Sequence, residues 1–204
     1  MAYAIGLIAT DGCMSRCTNL IDLTSKDKEQ LQNFSRCLGL TLTIGKKTNG
    51  MGQTYSRVQF KNVVFYGFLL RIGLTPAKSK TIGPLKIPRK YFFDFLRGCF
   101  DGDGCTYSYW DKRWRSSFMF YLSFVSASPV FIDWLRAEVF KSLGVSGHIT
   151  TAGKKGTYYQ LKYAKADGFK ILKKMYYSKN NIYLTRKYLK IQKMLGIVGK
   201  KLPI

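Results

Sequence analysis

Residues 96–104 read Leu96-Arg97-Gly98-Cys99-Phe100-Asp101-Gly102-Asp103-Gly104, and residues 4–12 read Ala4-Ile5-Gly6-Leu7-Ile8-Ala9-Thr10-Asp11-Gly12. Each stretch is an apolar, helix-like run that ends in Asp-Gly, and the two final acids lie 92 positions apart. Each run also has small residues four positions apart, which lie on one helix face and let two backbones approach closely. We therefore expect two helices packed side by side, with Asp11 and Asp103 as neighbours at their C-terminal ends.

The similarity continues beyond these stretches. Each is followed by two strand-like segments, an amphipathic helix, two more strands and another helix, so each half is predicted as αββαββα. Ser25 in the first half, and Ser126 or Ser128 in the second, are predicted N-caps of the amphipathic helices, with Gly39 and Gly144 as C-caps. We expect an N-terminal half over residues 1–73, a linker over 74–90 and a C-terminal half over 91–204. The second half has a longer first hairpin, over residues 105–118, and an extra helix near 184–195.

The chain is strongly basic. Its 204 residues include 34 Lys and Arg but only 11 Asp and Glu, for a formal net charge of +23. Such an excess indicates a polyanionic partner, most simply nucleic acid. No apolar run reaches the ~18 residues that a membrane span needs, and no basic segment precedes the first apolar residues as in a signal peptide. We expect a soluble protein that binds no membrane.

The five cysteines do not suggest a metal site. Cys13 and Cys17 have a zinc-like spacing, but no second pair follows, and His148 is the only histidine. Buried free thiols in a reducing intracellular compartment are the better interpretation. A bacterial cytoplasm and an organelle matrix both fit.

The two Asp-Gly pairs carry the chemistry that the sequence predicts. A single Asp-Gly at a helix end is usually a turn, but two in matching contexts on so basic a chain favour a functional site. Two close carboxylates repel each other unless a cation lies between them, and oxygen ligands suit Mg²⁺. Phosphodiester hydrolysis uses such a site. Asp101 has Ala9 as its counterpart, so we expect it to make a polar contact near the helix interface instead.

Residues 91–104 (YFFDFLRGCFDGDG) resemble the second motif of the LAGLIDADG homing endonucleases, specifically the single-chain type with two motifs. The first motif keeps Gly6, Leu7, Ile8, Asp11 and Gly12, and residues 122–128 and 184–188 also look like family signatures. The resemblance implies an α+β fold with pseudo-two-fold tandem αββαββα repeats. Two antiparallel sheets would form a DNA-binding saddle around a central two-helix interface. It also implies cleavage of both DNA strands at a long asymmetric target, leaving 3′ overhangs.

The resemblance implies a catalytic set as well. Asp11 and Asp103 would hold metal together with the backbone of Gly12 and Gly104, whereas Ala9 and Gly102 offer no side-chain ligand. Lys78 and Lys187 would lie near the scissile phosphates, with Lys80 as the alternative to Lys78. Mg²⁺ is the expected cofactor; Mn²⁺ would substitute, and Ca²⁺ would support binding without cleavage.

Polar and aromatic side chains of the types that contact DNA line the predicted strands, first hairpins and two lysine-rich turns. The expected DNA contacts are Ser15, Arg16, Lys46, Lys47, Tyr55, Arg57, Gln59, Tyr107, Tyr109, Arg113, Arg115, Lys154, Lys155, Tyr158, Gln160 and Lys162. The partner is double-stranded DNA, and the protein should act as a monomer because one polypeptide supplies both motif helices.

Three other functions fit parts of the sequence. The chain could be a maturase that binds its host intron RNA, and intact acids do not separate a maturase from a nuclease. It could be a catalytically inactive DNA-binding protein, although the retained acid pair argues against that. An intein domain is disfavoured because no Cys or Ser begins the chain and no His-Asn ends it.

Overall fold

The computed structural model describes residues 1–153 and 157–203. The first half contains α1 (Ala2–Thr10), β1 (Gly12–Met14), β2 (Leu20–Ser25), α2 (Lys28–Leu38), β3 (Gly45–Thr48), β4 (Thr54–Lys61) and α3 (Val63–Arg71). The second contains α4 (Phe92–Gly102), β5 (Cys105–Trp110), β6 (Phe118–Ser126), α5 (Pro129–Leu143), β7 (His148–Ala152), β8 (Tyr158–Ala164) and α6 (Lys165–Met175), followed by α7 (Thr185–Ile197). The predicted repeat of αββαββα is confirmed.

Each half forms a four-stranded antiparallel sheet, in the order β1-β2-β4-β3 and β5-β6-β8-β7. The registers match as well. Asp22 pairs with Cys13 on one side and Gln59 on the other, and Ser123 pairs in the same way with Cys105 and Lys162. This correspondence makes Gln59 the structural counterpart of Lys162, and it confirms the predicted α+β fold with two related halves.

Helices α1 and α4 pack against each other along their glycines. A Cβ atom at Gly6 would lie 2.3 Å from the carbonyl oxygen of Phe95, and one at Gly98 would lie 2.1 Å from that of Tyr3. Thr10 and Gly102 meet one turn later, where a Cβ at Gly102 would lie 2.0 Å from Thr10 Oγ1. No side chain larger than hydrogen fits at these glycines, so the small residues set the distance between the two motif helices.

Three cap predictions are confirmed and one is wrong. Gly39 and Gly144 end α2 and α5 in the left-handed conformation that glycine adopts without strain, and Ser128 caps α5 by accepting a hydrogen bond from Phe131 N. Ser25 is not the N-cap of α2, because β2 extends through Ser25, which pairs with Ser56. The helix therefore begins later, with Asp27 as its N-cap.

The segment between the halves is packed against them. Leu74, Ile82 and Leu85 are buried, and a 3₁₀ turn at Lys78–Lys80 places one lysine in the interior. All five cysteines are free thiols, but only Cys99 is buried. The expectation of buried thiols is wrong for Cys13, Cys17 and Cys105, which lie at exposed positions in the first hairpin of each half.

Candidate active site and polar sheet surfaces

Asp11 and Asp103 lie at the C-terminal ends of α1 and α4, where each helix turns directly into a strand. The backbone N–H of Asp11 donates to Leu7 O at 2.9 Å, and that of Asp103 donates to Cys99 O at 3.2 Å. The glycine after each acid is needed for close approach. A Cβ at Gly12 would lie 2.6 Å from Ile8 Cα, and one at Gly104 would lie 2.6 Å from Phe100 Cα.

The two carboxylates influence each other electrostatically. Desolvation and, after it, the negative charge of Asp11 raise the pKa of Asp103 to about 6, while Lys187 and Lys78 act in the opposite sense. Desolvation also raises the pKa of Asp11, although a hydrogen bond from Gln30 and the same two lysines oppose the shift. Asp11 is half-buried, and Asp103 is the more exposed of the two residues. The predicted neighbouring acids are therefore brought together.

Lys78, from the segment between the halves, and Lys187, from α7 of the second half, both reach this acid pair. Lys78 is 6% exposed, and its ammonium donates to the carbonyl oxygen of Gly12. Lys187 is half-buried and donates to the carbonyls of Phe100, Gly102 and Gly104 at 2.6, 2.9 and 2.7 Å, at the C-terminal end of α4. Desolvation lowers the pKa of each lysine, and nearby acids oppose it. Lys80, the alternative to Lys78, is exposed.

The oxygen donors at this point fit a hard divalent cation. The charge of Asp11 raises the pKa of Asp103, so a positive ion between the two carboxylates would relieve their repulsion, and Mg²⁺ keeps several of its waters when few protein ligands are offered. No cluster of three or more His, Cys, Asp or Glu side chains occurs among residues 1–153 and 157–203. The carbonyls of Gly12 and Gly104, predicted as metal ligands, accept hydrogen bonds from the two lysines.

Asp101 makes the polar contact expected of it. Its Oδ2 accepts hydrogen bonds from Tyr3 OH and from Leu184 N, both at 2.7 Å, and the side chain is 1% exposed. The carboxylate thus ties α4 to α1 and to the start of α7, and it is held apart from the acid pair by these donors.

Sequence reasoning missed Gln30, which donates from Nε2 to Asp11 Oδ2 at 2.9 Å. Gln30 lies one turn before Phe34 on the buried face of α2 and is itself 3% exposed. A polar residue on the apolar face of an amphipathic helix was the signal that could have drawn attention to it.

The outward face of the first sheet carries the predicted polar side chains. Tyr55, Arg57 and Gln59 alternate along β4 with the buried Val58. Asp22 on the adjacent strand β2 accepts a hydrogen bond from Gln59 Nε2 at 3.0 Å and lies 3.6 Å from Arg57 Nε. These groups form one polar surface beside the acid pair.

The second sheet presents the equivalent face with more aromatic character. Gln160, Lys162 and Tyr158 alternate along β8 with the buried Leu161 and Tyr163. On the neighbouring strands, Tyr121 stacks against Tyr107, with ring centroids 4.8 Å apart, and against Tyr109 at 6.3 Å. The sequence had indicated Tyr107 and Tyr109 but not Tyr121, which joins them.

The remaining predicted contacts lie at the edges of the sheets. Arg16, Arg113 and Arg115 are exposed in the first hairpin loops, whereas Ser15 is half-buried, with its carbonyl oxygen accepting a hydrogen bond from Tyr66. Lys46 and Lys47 belong to strand β3 rather than the predicted turn. They pair with Ser56 and Tyr55, so only Lys47 shares the outward face. Lys154 and Lys155 lie outside the described residues.

Within the described part of the chain, no helix is both long and apolar enough to cross a membrane. Neither a protein-family sequence profile nor a curated protein sequence matches the chain.

The arrangement of two αββαββα halves around a pair of glycine-packed helices is the LAGLIDADG fold. A mesophilic variant of the homing endonuclease I-DmoI superimposes with a TM-score of 0.58 and 17% identity, over 93% of this chain and 95% of that chain. I-LtrWI, a LAGLIDADG homing endonuclease bound to target DNA, gives 0.62 and 11% over 98% and 90%. The N-terminal LAGLIDADG domain of a WhiA protein gives 0.56 and 14% over 95% and 87%.

Proposed function

We propose that this protein is a divalent-metal-dependent DNA endonuclease that cuts both strands of a long asymmetric target and leaves 3′ overhangs. The observation that carries the proposal is the convergence of two carboxylates at the ends of two packed helices, each with a half-buried or buried lysine beside it. These groups lie between two outward polar sheet faces on a chain of net charge +23. No purely structural role requires that combination.

In this proposal Asp11 and Asp103 hold the metal, and Gly12 and Gly104 contribute backbone oxygens. Divalent ions held there would supply charge neutralisation and water activation for phosphodiester hydrolysis. Lys78 and Lys187 would place positive charge beside the scissile phosphates, where it stabilises the charge that develops in the transition state. Both ammonium groups are preorganised by backbone carbonyls, so little rearrangement is needed when a phosphate arrives.

The two sheet faces would read the target, because their Arg, Gln, Lys and Tyr side chains can contact base edges and phosphates. I-WcaI, another neighbour, is bound to its DNA recognition sequence, I-DmoI is in complex with DNA and Ca²⁺, and two single-substitution variants of I-DmoI are in complex with target DNA in the presence of Mg²⁺ and of Mn²⁺. By analogy we propose Mg²⁺ as the working ion, with Mn²⁺ substituting and Ca²⁺ supporting binding without cleavage. The protein would act as a monomer.

A second candidate is a DNA-binding protein without cleavage. The WhiA neighbours share the fold and are described by their domain type rather than as endonucleases, so nuclease activity has to rest on the site residues. A maturase that binds host intron RNA would use the same scaffold and keeps the site intact.

Selection from randomised double-stranded DNA tests the proposal. Wild-type protein in Mg²⁺ should enrich molecules cut on both strands at one long sequence, with 3′ overhangs. The double variant Asp11→Asn/Asp103→Asn is the matched control and should enrich none by cleavage while still retaining the same sequence in a Ca²⁺ binding assay. Retention without cleavage by the wild type would favour the second candidate and overturn the nuclease.

A further inference from the structure

Asp11 is contacted by a side chain of helix α2. Gln30, in the first turn of that helix, donates from Nε2 to Asp11 Oδ2 at 2.9 Å and to the carbonyl oxygen of Asp101 at 3.4 Å. Its Oε1 accepts a hydrogen bond from Ser25 Oγ at 2.5 Å. One buried amide therefore joins the first acid to the last turn of the opposite motif helix.

The direction of this amide is set by its neighbours. Ser25 Oγ accepts the backbone N–H of Asp27 at 3.0 Å, so the hydroxyl proton of Ser25 is left to point at Gln30 Oε1. A flipped amide would set its oxygen against two acceptors, the carboxylate of Asp11 and the carbonyl oxygen of Asp101. The N–H groups of Gln30 consequently face Asp11, and rotation of that carboxylate is restricted.

The second half has no equivalent of Gln30 at the matching position. Gln30 lies three residues after the N-cap Asp27, and the residue three after the N-cap Ser128 is Phe131, which packs into an aromatic cluster with Phe95 and Trp134. Among the described residues, no side-chain hydrogen bond reaches the carboxylate of Asp103. The two acids are alike in backbone position but unlike in what holds them.

We propose that Gln30 is a positioning residue that holds the Asp11 carboxylate in its metal-binding orientation, and that the two halves of the site are therefore unequal. The inference rests on the proposed function for the role of the metal. Donors that orient a ligating carboxylate typically change metal affinity or activity by about 10–100-fold when they are removed. The effect of losing Gln30 should fall on the Asp11 side.

Gln30→Met tests this by keeping the length of the side chain while removing both of its hydrogen-bonding groups. Asn33→Leu is the matched control. Asn33 lies on the same helix, is 6% exposed, and donates from Nδ2 to Tyr183 O at 2.8 Å, away from either acid. Ser25→Ala is a milder variant that frees the amide without removing it, and it keeps the test available if Gln30→Met folds poorly. Thermal melts monitored by circular dichroism check the fold of each.

The first measurement is binding of Mn²⁺ to the free protein, followed by electron paramagnetic resonance of the unbound ion. We expect Gln30→Met to weaken binding by about 10–100-fold, Ser25→Ala to weaken it less, and Asn33→Leu to leave it unchanged. Wild-type affinity in both Gln30→Met and Ser25→Ala, or an equal loss in Asn33→Leu, would overturn the proposal. This measurement does not depend on cleavage, so it decides the role of Gln30 even if the wild type cuts no DNA and the proposed function fails.

The second measurement is nicking of each strand of the selected target, with the two strands labelled separately and Mn²⁺ varied. In Gln30→Met the Mn²⁺ concentration that gives half-maximal nicking should rise more for one strand than for the other. In Asn33→Leu the ratio of these two concentrations should equal that of the wild type. An equal shift on both strands would overturn the one-sided assignment.

Discussion

The first and second halves share seven elements in the same order, and they differ in the hairpin that comes after each acid. β1 has three residues and β2 has six, whereas β5 has six and β6 has nine. The longer hairpin carries stacked tyrosines on its outward face and two arginines at its tip. A second difference is the Gln30 side chain, which contacts the acid of the first half, whereas no side-chain hydrogen bond of the described residues reaches the acid of the second. The repeated elements place the two acids, whereas both lysines come from outside the repeat: Lys78 from the segment between the halves and Lys187 from α7.

If the comparison is right, both acids are indispensable despite their different surroundings. Asp11→Asn or Asp103→Asn should abolish double-strand cleavage, a loss beyond about 10³-fold, since even one electrostatic group contributes about 10²–10³-fold. DNA binding in Ca²⁺ should persist, because neither acid lies on the outward sheet faces. Strand-resolved cleavage assays in Mg²⁺ measure this.

Asp101→Asn is the control for that pair. An asparagine oxygen can still accept from Tyr3 OH and Leu184 N, so cleavage should fall far less than in either acid variant. If Asp101→Asn alone stopped cleavage while the other two cut normally, the site would have to be moved to Asp101.

The next prediction concerns Lys78 and Lys187, which differ in how many backbone carbonyls they contact. Lys78→Met and Lys187→Met should each lower the cleavage rate by about 10²–10³-fold, because in the proposed site each lysine supplies a preorganised cation beside the scissile phosphate. Lys187→Met should also lower the melting temperature more than Lys78→Met does, because Lys187 donates to three carbonyls at the end of α4 and Lys78 to one.

Single-turnover rates with saturating protein separate chemistry from binding in these variants. Lys80→Met should cut at the wild-type rate, since that side chain is exposed to solvent. A wild-type rate in Lys78→Met together with a slow Lys80→Met would show that the wrong lysine had been assigned.

The two first hairpins differ in length, and we expect the longer one to contribute more discrimination between DNA bases than the shorter one. The β5–β6 loop is preformed: Asp111 N donates to Ser117 O at 2.9 Å, and Arg113 N donates to Asp111 Oδ1 at 2.8 Å. Arg113→Ala or Arg115→Ala should cost about 1–3 kcal/mol of discrimination and relax base preference at one or two positions on one side of the target. A single-base substitution scan of the target measures the loss.

Arg16→Ala is the matched variant in the short hairpin and should change fewer positions, on the other side. If base substitutions in the two halves of the target had equal effects, and if the arginine variants lost no base preference at any position, the expected difference between the hairpins would be contradicted. The scan assumes one protein per target, which light scattering of the DNA complex can check; a dimer would contradict the monomer.

Sequence alone predicted the parts of this molecule that local rules determine. Glycine spacing gave the close contact of α1 with α4, and strand alternation placed Arg57 and Lys162 on outward faces. Ser25 was misassigned because only pairing with Ser56 extends β2 through it. Gln30 could not be placed, because its partner lies on another helix and the contact depends on how α2 crosses α1. The division into halves at residues 73 and 91 stays a prediction.

The smallest expected effect concerns folding stability without metal. Desolvation and the charge of Asp11 raise the pKa of Asp103 to about 6, above its ordinary value, so the folded protein binds this proton more tightly than the unfolded chain does. The ionised form therefore opposes folding. The penalty is absent below about pH 4, where Asp103 is protonated in both states, and is complete above about pH 6.

In chelator at pH 8, Asp103→Asn should therefore melt a few degrees higher than the wild type, and the difference should shrink as the pH falls towards 4. Asp11→Asn should gain less, because that carboxylate accepts a hydrogen bond from Gln30 that an amide accepts more weakly. Mg²⁺ should raise the melting temperature of the wild type more than that of either variant. A bound cation offsets the repulsion between the two carboxylates, and each substitution has already removed that repulsion. Calorimetric melts of the three proteins at pH 8, 6 and 5, with chelator and with Mg²⁺, measure both trends. Asp103→Asn melting below the wild type by the same amount at every pH would show that the second acid stabilises the fold rather than strains it.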